Sequence, residues 1–477
     1  MLLRDTLLYL PAGVLGPIVQ LGTLVVLTHW LTPAELGLYA LVVALQDLVH
    51  VGGVSWWSQY VLRYLADRGR SDRTLQDRTE LGVLSATSLA QAALLPGLVL
   101  AIAGEAASPA LIASVAAASV MRSVILHWSV RARAEQRIGL YGLAQTLAPA
   151  LSLALALLLF LVFAPSVTLV FAGMAVAHLV VAALIGPRLG LAGRLPALDR
   201  PLLRSALRYG GLTTVGAVFA WVSMQGVRFT TEALLGTAAV GLLSVGWGIG
   251  QRIATQVAVL ATTAAFPLAV ARTKTDGLPA GLEQLAAAGP FLAAAILPAT
   301  AGLILVAGPL ADLATAEPFR EATAMILPYA ILAGAVRVVR HHFLDEALQL
   351  AERPGTMTAL DALEAIATIA FCTLGALWFG LVGSVVGCLA ASALATCVAL
   401  AVVIGRIGLP LSPSHLVPSV LATVAMAAAV AAMPRADTLA GLAGTILVGA
   451  AIYALTLGAI EHRRLRLWLS SAPKSMP

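Results

Sequence analysis

An all-α polytopic membrane protein of about fourteen transmembrane helices is what this sequence predicts. Three observations predict it. Charge is scarce: Asp, Glu, Lys and Arg make up 11% of 477 residues and hydrophobic residues 60%, where a soluble domain carries about 25% charge. Apolar runs of about 20 residues, the length that crosses a bilayer, recur from end to end. Lys and Arg gather in alternate connections between these runs, as topology determinants do. A chain so poor in charge cannot clothe a folded surface for water. This excludes a soluble enzyme, a disordered protein and a nucleic-acid-binding module, whatever the net charge of +6.

The runs cover 7–31, 37–62, 81–103, 110–130, 143–163, 166–186, 209–235, 238–266, 285–307, 322–341, 357–379, 381–404, 415–433 and 438–460. The first follows Met1-Leu2-Leu3-Arg4-Asp5 and is too long for a signal-peptide core. No small-x-small cleavage site follows it, so it reads as an uncleaved span. The second and eighth are long enough to tilt. Odd-numbered connections are short and poor in arginine; even-numbered ones carry charge. Of the 29 Lys and Arg, 24 fall on one side, two on the other (Arg320 and Arg435) and three within spans (Arg122, Arg228 and Arg252). The positive-inside rule turns the 24 to the cytoplasm and puts both termini there. Only Lys274 and Lys474 are lysines; with so much alanine, this points to a GC-rich bacterial genome. Cys372, Cys388 and Cys397 lie inside apolar runs and read as small hydrophobes, without metal-ligand spacing.

The turn Leu31-Thr32-Pro33-Ala34-Glu35-Leu36-Gly37-Leu38 opens the second span. Leu235-Gly236-Thr237-Ala238-Ala239-Val240-Gly241-Leu242 opens the eighth. At an offset of 204, Leu, Ala, Gly and Leu coincide. A repeat at equivalent turns implies two six-helix bundles running in the same direction, an architecture of transporters. The expected division is 1–190 for the first bundle, 191–208 for a cytoplasmic linker, 209–406 for the second bundle, and 407–477 for two further helices and a tail.

Leu31-Thr32-Pro33-Ala34-Glu35-Leu36-Gly37-Leu38-Tyr39-Ala40 resembles the early signature of the polysaccharide transport, or O-antigen flippase, family. Arg208-Tyr209-Gly210, Arg228-Phe229 and Ala239-Val240-Gly241-Leu242 are similar to the second half of that pattern. The sequence departs from it where Gly211-Leu212-Thr213 replaces a frequent proline, and where Val227 stands in place of a frequent acid. The family belongs to the multidrug/oligosaccharidyl-lipid/polysaccharide exporter superfamily. The resemblance implies a V-shaped pair of bundles around a central cavity, and transport of lipid-linked sugars across the bacterial inner membrane.

Charged groups inside spans are costly and should face a partner or a wet cavity. Span two carries Asp47 and His50, read as a proton or cation site, a sugar-binding pair, or a structural pair. Span seven carries Trp221, Gln225, Arg228 and Glu232 on one face, where Arg228 and Glu232 can pair. Span eight carries Gln251, Arg252, Thr255 and Gln256. Arg252 lies deep, and its fork of donors suits a pyrophosphate; pairing of Asp47 with Arg252 is conceivable as a gate. Span four has Ser119, Arg122 and Ser129, with His127 nearby; Arg122 is a phosphate ligand or a structural partner. His178 in span six is a packing histidine. Span eleven has Asp361 and Glu364 one turn apart, a coupling site for H+ or Na+ or an interfacial cap. Substrate binding is thus expected of Arg252, Arg228, Arg122, Gln225 and Gln256. Coupling or gating is expected of Asp47, His50, Glu232, Asp361 and Glu364.

Arg63, Arg68, Arg70, Arg73 and Arg78, mixed with Asp67, Asp72, Asp77 and Glu80, read as a solvated cytoplasmic loop. Arg463, Arg464, Arg466 and Trp468 are expected at the anionic lipid surface. No Gly-x-x-x-x-Gly-Lys loop is present, so the chain has no ATPase of its own. The outward loops are too small for an extracytoplasmic catalytic domain, which argues against a glycan polymerase or transferase. The expected function is translocation of a polyprenyl-pyrophosphate-linked oligosaccharide by alternating access, without an enzymatic step or a resident cofactor. Expected partners are the lipid-linked oligosaccharide, membrane lipids and a polysaccharide polymerase or export protein. The rival is a cation-coupled drug or metabolite antiporter of the same superfamily. Three arginines within spans favour an anionic substrate over the cations such antiporters take.

Overall fold

The structure, a computed structural model, describes residues 2–65, 70–191, 193–262 and 265–471, apart from the side chains of 2–14, 70–72, 212, 260–261 and 463–471. A helix lies over each of the fourteen predicted runs. These are α1 (Leu2–Thr28), α2 (Pro33–Tyr64), α3 (Arg70–Ala103), α4 (Pro109–Ala134), α5 (Ile138–Val162), α6 (Val167–Ile185) and α7 (Arg200–Leu235). There follow α8 (Thr237–Thr262), α9 (Leu278–Leu305), α10 (Glu317–Leu350), α11 (354–379), α12 (381–402), α13 (Val417–Ala431) and α14 (Leu439–Ser471). Ten helical stretches among the described residues are long and apolar enough to cross a membrane; one of them, Pro354–Ile407, is α11 and α12 in continuation. They part at Gly380, whose φ of 60° breaks the helical course.

Local chemistry sets the helix starts. Thr32 caps α2: its Oγ1 accepts from the Glu35 amide at 3.3 Å, and Glu35 accepts from the Thr32 amide at 2.9 Å. With Pro33 at the first helical position, this is a complete capping box. The Leu-Thr-Pro-Ala-Glu stretch is therefore a helix-starting device. α3 begins well before residue 81, so part of the mixed acidic and basic stretch predicted as loop is helix. Its remaining members, Asp67 and Arg68, lie outside the described residues, as do the side chains of Arg70 and Asp72.

The chain forms two compact units, 1–244 and 245–477. In the first, α4 packs on α3 and α6, α5 on α6 and α1, and the end of α2 on α7. Ile125, Ala132, Val181 and Ile185 form one core, and Trp57, Tyr60, Val61, Leu202 and Ala206 another. In the second, α10 packs on α11 and α12, α9 on α13, and α13 on α14. Small residues bring α8 against α10, with Gly250 beside the Ala330 backbone and Gly246 beside Ile326. Close backbone approach through small residues is how membrane helices associate when no apolar surface leaves water.

A second repeat, not found in the sequence reading, lies in the turns before α5 and α11. Gln136 and Glu352 both take φ of 56°, the left-handed region, and each is followed by an arginine. The Arg137 amide donates to Ala132 O at 2.8 Å, and the Arg353 amide to Leu348 O at 2.9 Å. Both turns therefore close their helices with the same six-residue hydrogen-bonded ring. A non-glycine residue there costs about 1–2 kcal/mol, and glycine's extra chain entropy offsets roughly 0.5–1 kcal/mol of any relief. Glu352→Gly is thus expected to stabilise the second unit by up to about 1 kcal/mol. A lowered thermal midpoint in detergent would contradict it.

Candidate functional site

Polar side chains inside the first unit form several clusters, most of them along α4. Midway along α4, Arg122 Nη2 meets Asp47 Oδ1 at 2.6 Å, with both side chains partly exposed. This is the structural Asp–Arg pair left open for Asp47, with Arg122 of its own unit as the partner. One turn on, His50 ends the α-helical part of α2, and a π-helical turn, Val51–Ser55, follows with Gly52 and Gly53 in it. Such turns shift helical register and recur at functional sites. The indole of Trp221 on α7 donates to Ala44 O at 3.0 Å, which ties α7 to α2 one turn from Asp47. Arg228 donates to Gln225 Oε1 and, at 3.3 Å, to Ser244 Oγ. Glu232 accepts from Thr237 Oγ1 at 2.8 Å. Ser119 and Ser123 both donate to Gln91 Oε1 at 3.2 Å, which links α4 to α3.

Toward the end of α4 the polar contacts are buried. His127 bridges Ser58 Oγ on α2 at 2.8 Å and Glu80 on α3 at 3.2 Å. Arg131 meets Asp77 at 2.7 Å, Glu80 at 2.8 Å and Glu135 at 3.2 Å. Asp77 and Glu80 are therefore interior groups, which corrects their assignment to a solvated loop. Burial of the acids is stabilised by a guanidinium that cannot lose its charge. His178 Nδ1–H donates to Met174 O, 2.7 Å away on its own helix, consistent with packing.

The second unit holds a parallel cluster. Arg337 meets Glu364 Oε1 through Nε at 3.1 Å and Nη2 at 2.5 Å. Arg340 reaches both Glu364 and Asp361, and Ser392 Oγ on α12 donates to Glu364 at 2.8 Å. The π-helical turn Arg340–Leu344 follows Val339, so the register changes where the two arginines face α11. Positive-inside counting had placed Arg337 and Arg340 at the cytoplasmic surface; both are buried. Their signal was present as two bases three residues apart on one helix facing two acids three residues apart on the next.

His341, Asp345 and Asp361 offer ligand atoms within 4.8 Å of one another. Arg340 already engages Asp361, and the His341 ring is 2.9 Å from Asp345. A guanidinium thus stands where an added cation would meet its repulsion. On α8, Gln251 donates to Ala330 O at 3.1 Å and is buried, whereas Arg252, Thr255 and Gln256 are half-buried. Cys372, Cys388 and Cys397 are free thiols. The side chains of Arg463, Arg464, Arg466 and Trp468 lie outside the described residues.

This fold, helical among the described residues, is shared with known membrane transporters. The lipid II flippase MurJ, in an inward closed conformation, aligns with a TM-score of 0.74 at 13% identity, over 96% of this chain and all of MurJ. An inward-facing multidrug resistance MATE transporter of the MOP superfamily aligns at 0.66 and 14% identity, over 84% of this chain and 98% of its own. A MOP superfamily transporter from Pyrococcus furiosus, described as having a binding pocket of reverse polarity, aligns at 0.57 and 15% identity, over 85% and 95%. No protein-family model and no curated protein matches the sequence.

Proposed function

We propose that the protein is a flippase of the bacterial cytoplasmic membrane that translocates a polyprenyl-pyrophosphate-linked oligosaccharide, a repeat unit of a surface polysaccharide. The observation that carries this reading is the end-to-end likeness to a lipid II flippase. The MATE likeness leaves about a sixth of the chain unmatched, a length close to that of 407–477. The intramembrane arginines support an anionic headgroup. Arg252 offers a donor fork to the pyrophosphate, with Gln256 one turn further along α8 to bind sugar hydroxyls. In the first unit, Arg122 and Arg228 add positive potential, and Asp47 tempers it as a partner that substrate phosphate can displace. Transport then alternates access to these groups while the prenyl chain stays in the bilayer. No covalent bond in the substrate changes.

The test is a deletion strain in which lipid-linked glycans are extracted and assigned to a membrane leaflet. Complete oligosaccharide on its carrier should accumulate in the inner leaflet, and wild-type protein should relieve it. Arg252→Ala at equal membrane abundance should lower the translocation rate at least about tenfold, the worth of one charge-assisted contact. Normal lipid-linked pools with altered drug sensitivity would instead favour the antiporter.

A further inference from the structure

A cavity of about 380 Å³ opens among the start of α3, the end of α4, the turn before α5 and the segment after α6. Arg73, Arg137 and Arg194 line it, with Arg131, Asp77 and Glu135. The charges are layered. Arg131, Asp77 and Glu135 are 4%, 7% and 13% exposed, whereas Arg137 and Arg194 are 47% and 32% exposed; Arg73 is exposed as well. Arg131 meets both acids, and from the rim Arg194 reaches Asp77 at 3.4 Å and Arg137 reaches Glu135 at 3.0 Å; four lining arginines against two lining acids still leave the cavity net positive.

The rim is also held in place. Arg137 donates to Arg188 O, and Arg194 Nε donates to Gly190 O at 2.9 Å. Two guanidiniums fixed by backbone carbonyls lose little freedom when they bind. Arg78, which donates to Leu195 O at 3.3 Å, adds positive charge beside Arg194. The cavity lies against the first turns of α3, through Arg73, Thr74 and Asp77. Fixed planar forks, a net positive rim and a polar cavity of this size suit one chemistry, a phosphate group.

We infer that this cavity is a phosphate-binding site on the face that charge asymmetry assigns to the cytoplasm. The phosphate is carried by an anionic lipid headgroup or by a soluble phosphate ester. The site is separate from Arg252 and does not depend on the flippase reading.

The test uses the full chain and the fluorescence of its own tryptophans to follow thermal unfolding. Inorganic pyrophosphate is titrated in neutral detergent, and in parallel the protein is placed in nanodiscs of phosphatidylcholine with or without phosphatidylglycerol. A rise in midpoint with pyrophosphate supports the site and a soluble ester; a rise only with phosphatidylglycerol supports the site and a lipid headgroup. The double variant Arg73→Gln, Arg194→Gln should weaken the response, read as the shift from its own unliganded midpoint, about tenfold or more. Arg137→Gln should do the same independently, should the double variant fold poorly. Pyrophosphate can also meet the Arg252 site proposed above, so the titration is repeated in the Arg252→Ala chain, where the part of the response that persists belongs to the cavity. No response to either ligand overturns the inference. So does a response that is abolished by Arg252→Ala, or one that survives when Arg252→Ala is combined with the rim variants.

Discussion

Glu364→Ala is expected to cost the second unit about 3–5 kcal/mol, the range for removing one partner from a buried ion pair. Glu364 is fully buried and accepts from Arg337, Arg340 and Ser392. Its loss leaves two buried guanidiniums with Asp361 as the nearest compensation. Neither arginine can shed its proton to escape the cost, because guanidinium stays charged in proteins. Glu364→Gln should be milder than alanine, since the amide oxygen still accepts from Ser392. The exposed pair Arg435–Asp312, with side chains 64% and 44% exposed, provides the contrast, and Arg435→Ala should cost less than about 1 kcal/mol. Thermal unfolding in detergent, with yield of folded protein as a second readout, checks both. Equal midpoint losses for Glu364→Ala and Arg435→Ala would mean that water reaches the cluster. The same contacts bear on ion coupling. Asp361 and Glu364 each face an arginine, so α10 already supplies the positive charge that a coupling cation would bring.

The helices were legible because the bilayer imposes length and apolarity on every span, and these survive in the sequence without an alignment. Even the break between 379 and 381 was visible, at Gly380. The polar interior was harder to read for a definite reason. Arginines near span ends serve both topology and burial, and composition does not separate the two uses. Arg131, Arg337 and Arg340 were counted with the cytoplasmic charge, yet each is closed in by carboxylates from a neighbouring helix. Asp77 and Glu80 were hidden by five arginines interspersed around them, which gave the stretch the look of a solvated loop. The spacing held the missing information, because acids at i and i+3 near one helix end were matched by bases at i and i+3 or i+4 on the next. The turn containing Gln136 and its counterpart containing Glu352 escaped notice because their offset is 216, not the 204 that relates Gly37 to Gly241. Insertions between the two points shift the register, while the hydrogen-bonded ring that closes each helix is kept.

Gly241→Ala should destabilise the first unit, by about 1–3 kcal/mol, against the usual preference for alanine in helices. A Cβ on Gly241 would land on the Pro33 carbonyl and near the Gly37 amide; one on Gly37 would land on the Thr237 carbonyl and near the Gly241 amide. The obstructing atoms are backbone, so no side chain can turn aside, and the opening turns of α2 and α8 would have to separate. Gly97 in α3 has nothing within 4 Å of the corresponding position. There the same substitution should be neutral or gain up to about 1 kcal/mol, the intrinsic difference between the residues in a helix. The opposite signs separate close approach from helix propensity, and thermal midpoints of the two variants measured side by side decide it. A gain at both positions would show that the glycines do not set the spacing of the helices. The contacts are also reciprocal: positions 33 and 37 meet 237 and 241, each pair related by the offset of 204 that first revealed the repeat. Gly37→Ala should therefore match Gly241→Ala in size. Combining them should cost less than the two single losses together, because one separation of the backbones makes room for both methyl groups.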